Sequence, residues 1–195
     1  MYYLIKVLSS MSLDHAILGF LNYRPYTGYE LKKIFDNTVR HFWSADQSQI
    51  YRTLARLNDN GWVEMEKIPQ EDHPDRKVYH ITETGRAELR RWIAGPPPMG
   101  EPRSAPLIQV FFSGQLSNEE ILKKFEGFAD IMRSILAQYE QVPDRLRPFQ
   151  EEVSSPREHF FWMLTLENGI ANMRANLAWA ESVIERLKQG QAPDC

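Results

Sequence analysis

The sequence predicts a mainly α-helical protein: a winged helix-turn-helix N-terminal domain followed by an α-helical C-terminal dimerisation domain. Three observations lead there. Residues 44–81 read as a short amphipathic helix, a glycine stop and two strands. A proline-rich break, Gly95-Pro96-Pro97-Pro98-Met99-Gly100-Glu101-Pro102 with Pro106 following, then cuts the chain, because consecutive prolines cannot continue a helix. Beyond it, apolar residues recur at steps of three and four over two long runs. The expected organisation is an extension over 1–11, a winged head over 12–94, a linker over 95–106 and a helical dimerisation domain over 107–190.

In the head, Leu13, Ile17, Leu18 and Leu21 mark a first helix that ends near Asn22–Pro25. Thr27 can cap a second helix, with Glu30 three residues on completing a capping box; Leu31, Ile34 and Phe35 form its buried face. The loop Val39–Trp43 leads to Ser44, which is expected to form a second capping box with Gln47. The third helix carries apolar teeth at Ile50, Leu54 and Leu57 and stops at Gly61. Strands are expected over Trp62–Ile68 and Arg76–Ile81, across a turn-rich, acidic tip with Glu71, Asp72 and Asp75. Val63, Met65 and Lys67 alternate there with Glu64, Glu66 and Ile68, the pattern of a half-buried strand. Thr82 caps a last helix to about Ile93. One helix plus one ribbon are the two elements able to reach the grooves of DNA.

The C-terminal half opens with a short apolar segment, Ile108, Val110, Phe111 and Phe112. A long helix over Asn118–Gln141 follows, then a break over 142–156, then a second long helix over Arg157–Lys188. The last helix bears Met163, Leu166, Ile170, Met173, Leu177, Ala180, Ile184 and Leu187, a sustained heptad line. A lone helix pair buries such a line poorly, so a bundle formed between two subunits of a homodimer is expected.

Composition narrows the function. The only cysteine is Cys195, so no disulfide forms within the chain and a cysteine zinc site is excluded. Met1–Leu8 is too short to span a bilayer and has no basic region ahead of it, so no membrane role and a cytoplasmic location are expected. Met11 offers a second translation start; residues 1–10 then read as a start-site extension, or else as an arm that packs on a partner subunit. The five histidines show no metal-ligand spacing, Gly114-Gln115-Leu116-Ser117 is no nucleophile elbow, and no phosphate loop or dinucleotide fingerprint is present. No catalytic residue, metal or cofactor is expected, and the chain does not read as an enzyme. The net charge is −3; residues 12–94 carry 12 basic and 12 acidic side chains, residues 95–195 carry 10 and 14. Affinity for DNA must therefore come from where the charges sit.

Four ordered blocks of the head resemble the PadR family of bacterial transcription regulators: Ile17-Leu18-Gly19-Phe20-Leu21 followed by Gly28-Tyr29-Glu30-Leu31; Ile50-Tyr51-Arg52-Thr53-Leu54-Ala55-Arg56-Leu57; Gly61-Trp62-Val63; and Arg76-Lys77-Val78-Tyr79-His80-Ile81-Thr82-Glu83-Thr84-Gly85. The helical half is similar, by length and pattern, to the larger subgroup of that family. The resemblance implies a homodimer whose C-terminal helix packs on the partner's head, and repression relieved by a small molecule, often phenolic or otherwise aromatic. Gln47-Ser48-Gln49 departs from the usual Pro-Gly-Thr or Pro-Ser-like segment, which leaves the target sequence open.

Within this frame, the candidate DNA contacts are Tyr29, Gln47, Ser48, Gln49, Tyr51, Arg52, Arg56, Arg76 and Lys77. Glutamine can pair with adenine in the major groove, and serine contacts base edges or phosphate. Tyr51 and Tyr29 offer hydroxyls to phosphate, the Tyr51 ring packing inward; Arg52 follows on the same helix, as does Arg56, placed either to bind phosphate or to pair with an acid; Arg76 and Lys77 lie on the wing. Lys32 and Lys33 are weaker candidates. Trp92 is the candidate ligand contact, ahead of Trp43, Trp162 and Trp179. The dimerisation residues are Met163, Leu166, Ile170, Met173, Leu177, Ile184 and Leu187. The expected partners are double-stranded DNA with a near-palindromic operator, a second subunit and a small-molecule effector. Two other readings stand beside this one: a sensor or adaptor whose neutral head binds protein, and an activator that works with a second DNA-binding protein.

Overall fold

The computed structural model describes residues 2–70, 75–96 and 104–193, with side chains from Leu13 onward. The wing tip at 71–74 and most of the expected linker, 97–103, lie outside the described residues. The chain divides into two compact units, residues 1–100 and 101–195.

The first unit runs α1 (Tyr2–Tyr23), β1 (Tyr26–Thr27), α2 (Gly28–Asn37), α3 (Gln47–Asp59), β2 (Val63–Ile68), β3 (Arg76–Ile81) and α4 (Glu83–Ala94). The strands form one antiparallel sheet in the order β1-β3-β2, with Tyr26 opposite Tyr79 and Val63 opposite Ile81. Its core is fed by every element: Ile17, Leu18 and Leu21 from α1, Tyr26 from β1, Leu31 and Phe35 from α2, Ile50, Leu54 and Leu57 from α3, Val63 from β2, Val78 and Ile81 from β3, and Leu89 from α4, all buried. The helix positions among them are those that the helical spacing placed inward. Gly61 ends α3 with φ of 70°, a left-handed turn that side chains rarely tolerate.

Three expectations change here. The first helix reaches back to Tyr2, so the expected boundary at residue 11 falls inside α1. The two-residue strand β1 carried no signal in the sequence; it exists because β3 offers it a free edge. The cap of α3 is Asp46, not Ser44.

The second unit contains α5 (Ala105–Phe111), a short 3₁₀ turn at Ser113–Gln115, α6 (Asn118–Glu140), α7 (Val142–Glu152) and α8 (Pro156–Lys188). Ser117 and Glu120 form a capping box at the start of α6. Ala129 and Ala180 are fully buried where α6 meets α8, and their small size lets the two backbones approach. The expected break at 142–156 is largely helical. Pro143 sits in the first turn of α7, where its missing N–H costs nothing, and Val142, Leu146 and Phe149 point inward at helical spacing. Pro148 lies within this helix, so packing rather than propensity holds it.

The heptad line of α8 is also placed differently from the expectation. Leu177, Ile184 and Leu187 pack on α6 around Phe125, Ala129 and Ala180. Met163, Leu166 and Ile170 pack on Val142 and Leu146 of α7. Met173, between the two clusters, is half-buried. A third helix that the sequence hid thus covers much of the line within one chain. The short helix α5 has no fully buried residue: Val110 is half-buried against the α6–α8 cluster, while Leu107, Ile108 and Phe111 are exposed.

Candidate nucleic-acid interface

The recognition helix begins with a tight polar cap. The Asp46 carboxylate accepts from the Gln49 N–H at 2.7 Å and from the Ser48 hydroxyl at 2.7 Å, while the Asp46 N–H donates to Gln49 Oε1 at 2.8 Å. The Ser48 hydroxyl and the Gln49 N–H, with Arg52 nearby, hold the Asp46 carboxyl below its ordinary value. Gln47, Ser48, Gln49 and Arg52 are all exposed. The expected roles of Ser48 and Gln49 are therefore shared with capping. Gln49 has its carbonyl oxygen engaged and keeps its amide N–H groups for another partner.

Tyr51, one turn in, leans on the start of α2. A Cβ at Gly28 would fall 2.5 Å from the Tyr51 ring, so only glycine leaves room for it. The ring thus packs inward as expected, while 41% of the residue stays exposed. Tyr29, next to this contact, is 68% exposed, a value that sets it apart from a core tyrosine. Thr27 and Glu30 cap α2 reciprocally, with the Thr27 N–H donating to Glu30 Oε2 at 2.7 Å. Glu30 also receives a hydrogen bond from Arg76 Nη2 at 3.0 Å, which ties the outer end of β3 to the start of α2. Burial alone would raise the Glu30 carboxyl. The Thr27 hydrogen bonds and the Arg76 guanidinium outweigh it and hold the group below its ordinary value. Arg76 is thus engaged within the head while its side chain stays partly exposed. Lys77 is exposed and stands directly opposite Lys67 across the β2–β3 pair.

Of the two roles open to Arg56, phosphate or an acid of its own head, the structure shows the acid. Its guanidinium bonds the buried carboxylate of Asp14 on α1, so it braces the recognition helix from behind. Lys32 pairs with Asp36 four residues on, a pair along the surface of α2. Sequence reading missed Asp14 and Asp46 as partners, and Glu30 as the partner of Arg76. A capping pattern signals Glu30; nothing local signals an ion pair across 42 residues.

Trp92 lies on α4, stacked on His15 at 4.6 Å between ring centres and 7° between planes. His15 Nε2 is 2.9 Å from Glu88, which also accepts from Arg91. Beside this stack is a cavity of about 400 Å³ within the head, lined by Trp92, Trp43, Phe42, Phe20, Tyr23 and His15 among others. Trp162 instead stacks on Phe149 at 4.9 Å, and Trp179 meets Phe125 edge-on at 5.4 Å. Among the described residues no cluster of histidine, cysteine and carboxylates could hold a metal, and no helix is long and apolar enough to cross a membrane.

A three-stranded winged sheet, a capped third helix with an exposed leading edge and a separate helical unit define a winged-helix regulator. Residues 17–91 match the transcriptional regulator PadR-like family, and residues 102–188 match the C-terminal region of the virulence activator alpha family. The chain is 49% identical over 86 residues to the "Probable transcriptional regulator" of Mycobacterium tuberculosis, an alignment spanning 44% of this chain and 46% of that one. It is 27% identical over 176 residues to the negative transcriptional regulator PadR of Bacillus subtilis, spanning 90% of this chain and 97% of that one. The crystal structure of Bacillus subtilis PadR in complex with operator DNA superimposes with a TM-score of 0.77 at 26% identity, over 90% of this chain and 99% of that one. Its complex with p-coumaric acid gives 0.73 at 25% identity, over 92% and 97%. The chain belongs to the PadR-like family of transcriptional regulators. That family is not one of enzymes.

Proposed function

We propose that the chain is a homodimeric repressor that binds a near-palindromic operator in double-stranded DNA and releases it when a small aromatic molecule occupies the head cavity. The observation that carries this reading is the exposed leading edge of α3, where Gln47, Ser48 and Arg52 project beside the exposed rings of Tyr29 and Tyr51. Side chains of these types at a helix start read base edges and grip phosphate. The printed descriptions of the Bacillus subtilis relative, a negative regulator seen with operator DNA and with p-coumaric acid, support the sign of regulation and the class of effector. Two heads on one face of DNA would lie one helical turn apart, about 34 Å. Phe111, Ile131, Phe160, Phe161 and Trp179 remain exposed on the helical unit, and this apolar surface supports association of two copies. Such a protein works in the cytoplasm, where its DNA lies.

An effector acts only through the difference in its affinity for the DNA-bound and free states. The cavity beside Trp92 suits a flat apolar ring, since stacked and edge-on contacts both favour aromatic guests. The test is fluorescence anisotropy of the purified chain on DNA from upstream of its own coding region, at two salt concentrations, with a scrambled competitor. Competitor-resistant binding is expected. A phenolic acid such as p-coumaric acid is expected to weaken it, and Trp92→Ala to blunt that release while DNA affinity survives. Binding no tighter than to scrambled DNA at low salt would refute the reading and favour a protein partner.

A further inference from the structure

The helical unit has a cavity of its own, which the DNA-binding reading leaves without a role. It measures about 370 Å³ and is lined by residues of α5, α6 and α8. That volume suits a small molecule. Its walls are apolar, with Val110 from α5, Phe128 and Ile131 from α6 and Trp179 from α8. Trp179, a weaker ligand candidate in the sequence, stands edge-on to Phe125 at 5.4 Å and to Phe128 at 6.1 Å between ring centres. The three rings hold one another in place, so this wall is formed before a guest arrives.

The cations of the lining stand at one end. Lys123 is exposed and Lys124 half-buried, and Lys124 precedes Ile131 by two turns of α6, about 10 Å at the helical rise. The chain around them is acidic, with 14 acidic against 10 basic side chains over residues 95–195. Glu120, one turn before Lys124, is taken by the Ser117 cap. Lysine stems can cover an apolar guest while their ammonium groups meet a charge at its end.

Gly127, between these two ends, also lines the cavity. Glycine weakens a helix interior, and the fold has no use for one here. The backbone is not left-handed, and an added Cβ would meet nothing within 4 Å. The protein gains no contact from the missing side chain, whereas a guest gains the space it leaves.

We propose that this cavity binds a medium-chain monocarboxylate, its alkyl chain lying along Gly127 toward Ile131 and Trp179 and its carboxylate held by Lys123 and Lys124. An extended chain of medium length spans the two turns between charge and apolar end. The site is separate from the head cavity beside Trp92, and the inference does not rest on the DNA-binding reading.

The experiment is calorimetric titration of the full chain without DNA, using octanoate as the probe and octanol as its uncharged counterpart. Melting and sedimentation of each variant are measured alongside. One octanoate per chain is expected. Replacing both lysines, Lys123→Ala with Lys124→Ala, should weaken octanoate about five- to thirtyfold and octanol by less than about twofold. Gly127→Leu should abolish both while melting no lower than the wild type. Trp92→Ala should leave octanoate binding unchanged. No saturable binding by the wild type, or wild-type affinity in Gly127→Leu, would overturn the site. Binding lost in Trp92→Ala would move it to the head cavity. A Gly127→Leu chain that separates into single subunits, with no octanoate bound by the wild type, would give the cavity to a second copy instead. If Gly127→Leu melts early, the lysine variant decides alone, and an equal loss of octanoate and octanol overturns the proposal.

Discussion

Gly28 offers a test in which stability and function should part company. Its φ lies outside the left-handed region, so alanine suits the backbone there. In a helix that exchange ordinarily stabilises by about 0.4–1 kcal/mol, because the unfolded chain loses freedom. Here the added Cβ would stand 2.5 Å and 2.7 Å from two atoms of the Tyr51 ring and 3.1 Å from a third, too close for any contact. The ring is 41% exposed, so it can swing outward rather than unfold the head. Gly28→Ala should therefore melt within about 1 kcal/mol of the wild type. On the proposed reading, in which the Tyr51 hydroxyl grips a phosphate, its displacement would remove that contact. A hydrogen bond to a charged group contributes about 1.5–3 kcal/mol, so affinity for upstream DNA should fall roughly ten- to hundredfold. Anisotropy titrations of Gly28→Ala, Tyr51→Phe and the double variant read this directly. The double variant should bind no worse than Tyr51→Phe, since both changes remove one contact. Wild-type affinity in Gly28→Ala, or full additivity in the double variant, would refute the reasoning.

Leu54→Ala removes a fully buried side chain from the middle of α3 and should cost about 2–5 kcal/mol of head stability, read by urea denaturation. Arg56→Ala strands the buried Asp14 carboxylate, so it should destabilise the head by about 1–2 kcal/mol, at the low end because the guanidinium is partly exposed. It should leave the salt slope of DNA binding unchanged; a slope reduced by about one would return Arg56 to the interface. The Glu88 carboxyl is lowered chiefly by its Arg91 hydrogen bond, with His15 adding to this against a burial effect, and Glu30 is lowered as described above. Carboxyls lowered in the folded state stabilise it above the ordinary carboxylate range and lose that contribution as the pH falls through and below it. Melting temperature should therefore drop on acidification below about pH 4.5, and Glu88→Gln should flatten the drop. A Glu88→Gln curve parallel to the wild type throughout would contradict the assignment.

Much of the head was legible because its signals are local. Thr27 and Glu30, three residues apart, announce a helix start, and both sides of that capping box are present. Ile50, Leu54 and Leu57 repeat at helical steps, and all three are inaccessible. The cap of α3 was placed two residues early because Ser44 with Gln47 and Asp46 with Gln49 satisfy the same spacing; the chain direction into the helix chose between them. Prolines at 143 and 148 hid α7, since a breaker in sequence is harmless at a helix start and can be outweighed inside by burial of Leu146 and Phe149.

The sequence by itself determined the class of fold, the identity of the recognition helix and the apolar residues that build both units, because helix periodicity, caps and strand alternation act over a few residues. Only the tertiary structure decided how the charged side chains are spent. It turned Arg56 toward Asp14 on α1, tied Arg76 to Glu30 on α2, and set Lys67 against Lys77 across the wing. It also put α7 and α6 against the apolar line of α8 within one chain. The physical reason is common to all of these: a charge or an apolar stripe will take whichever partner the fold brings within a few ångströms, and no local pattern encodes which distant segment that will be.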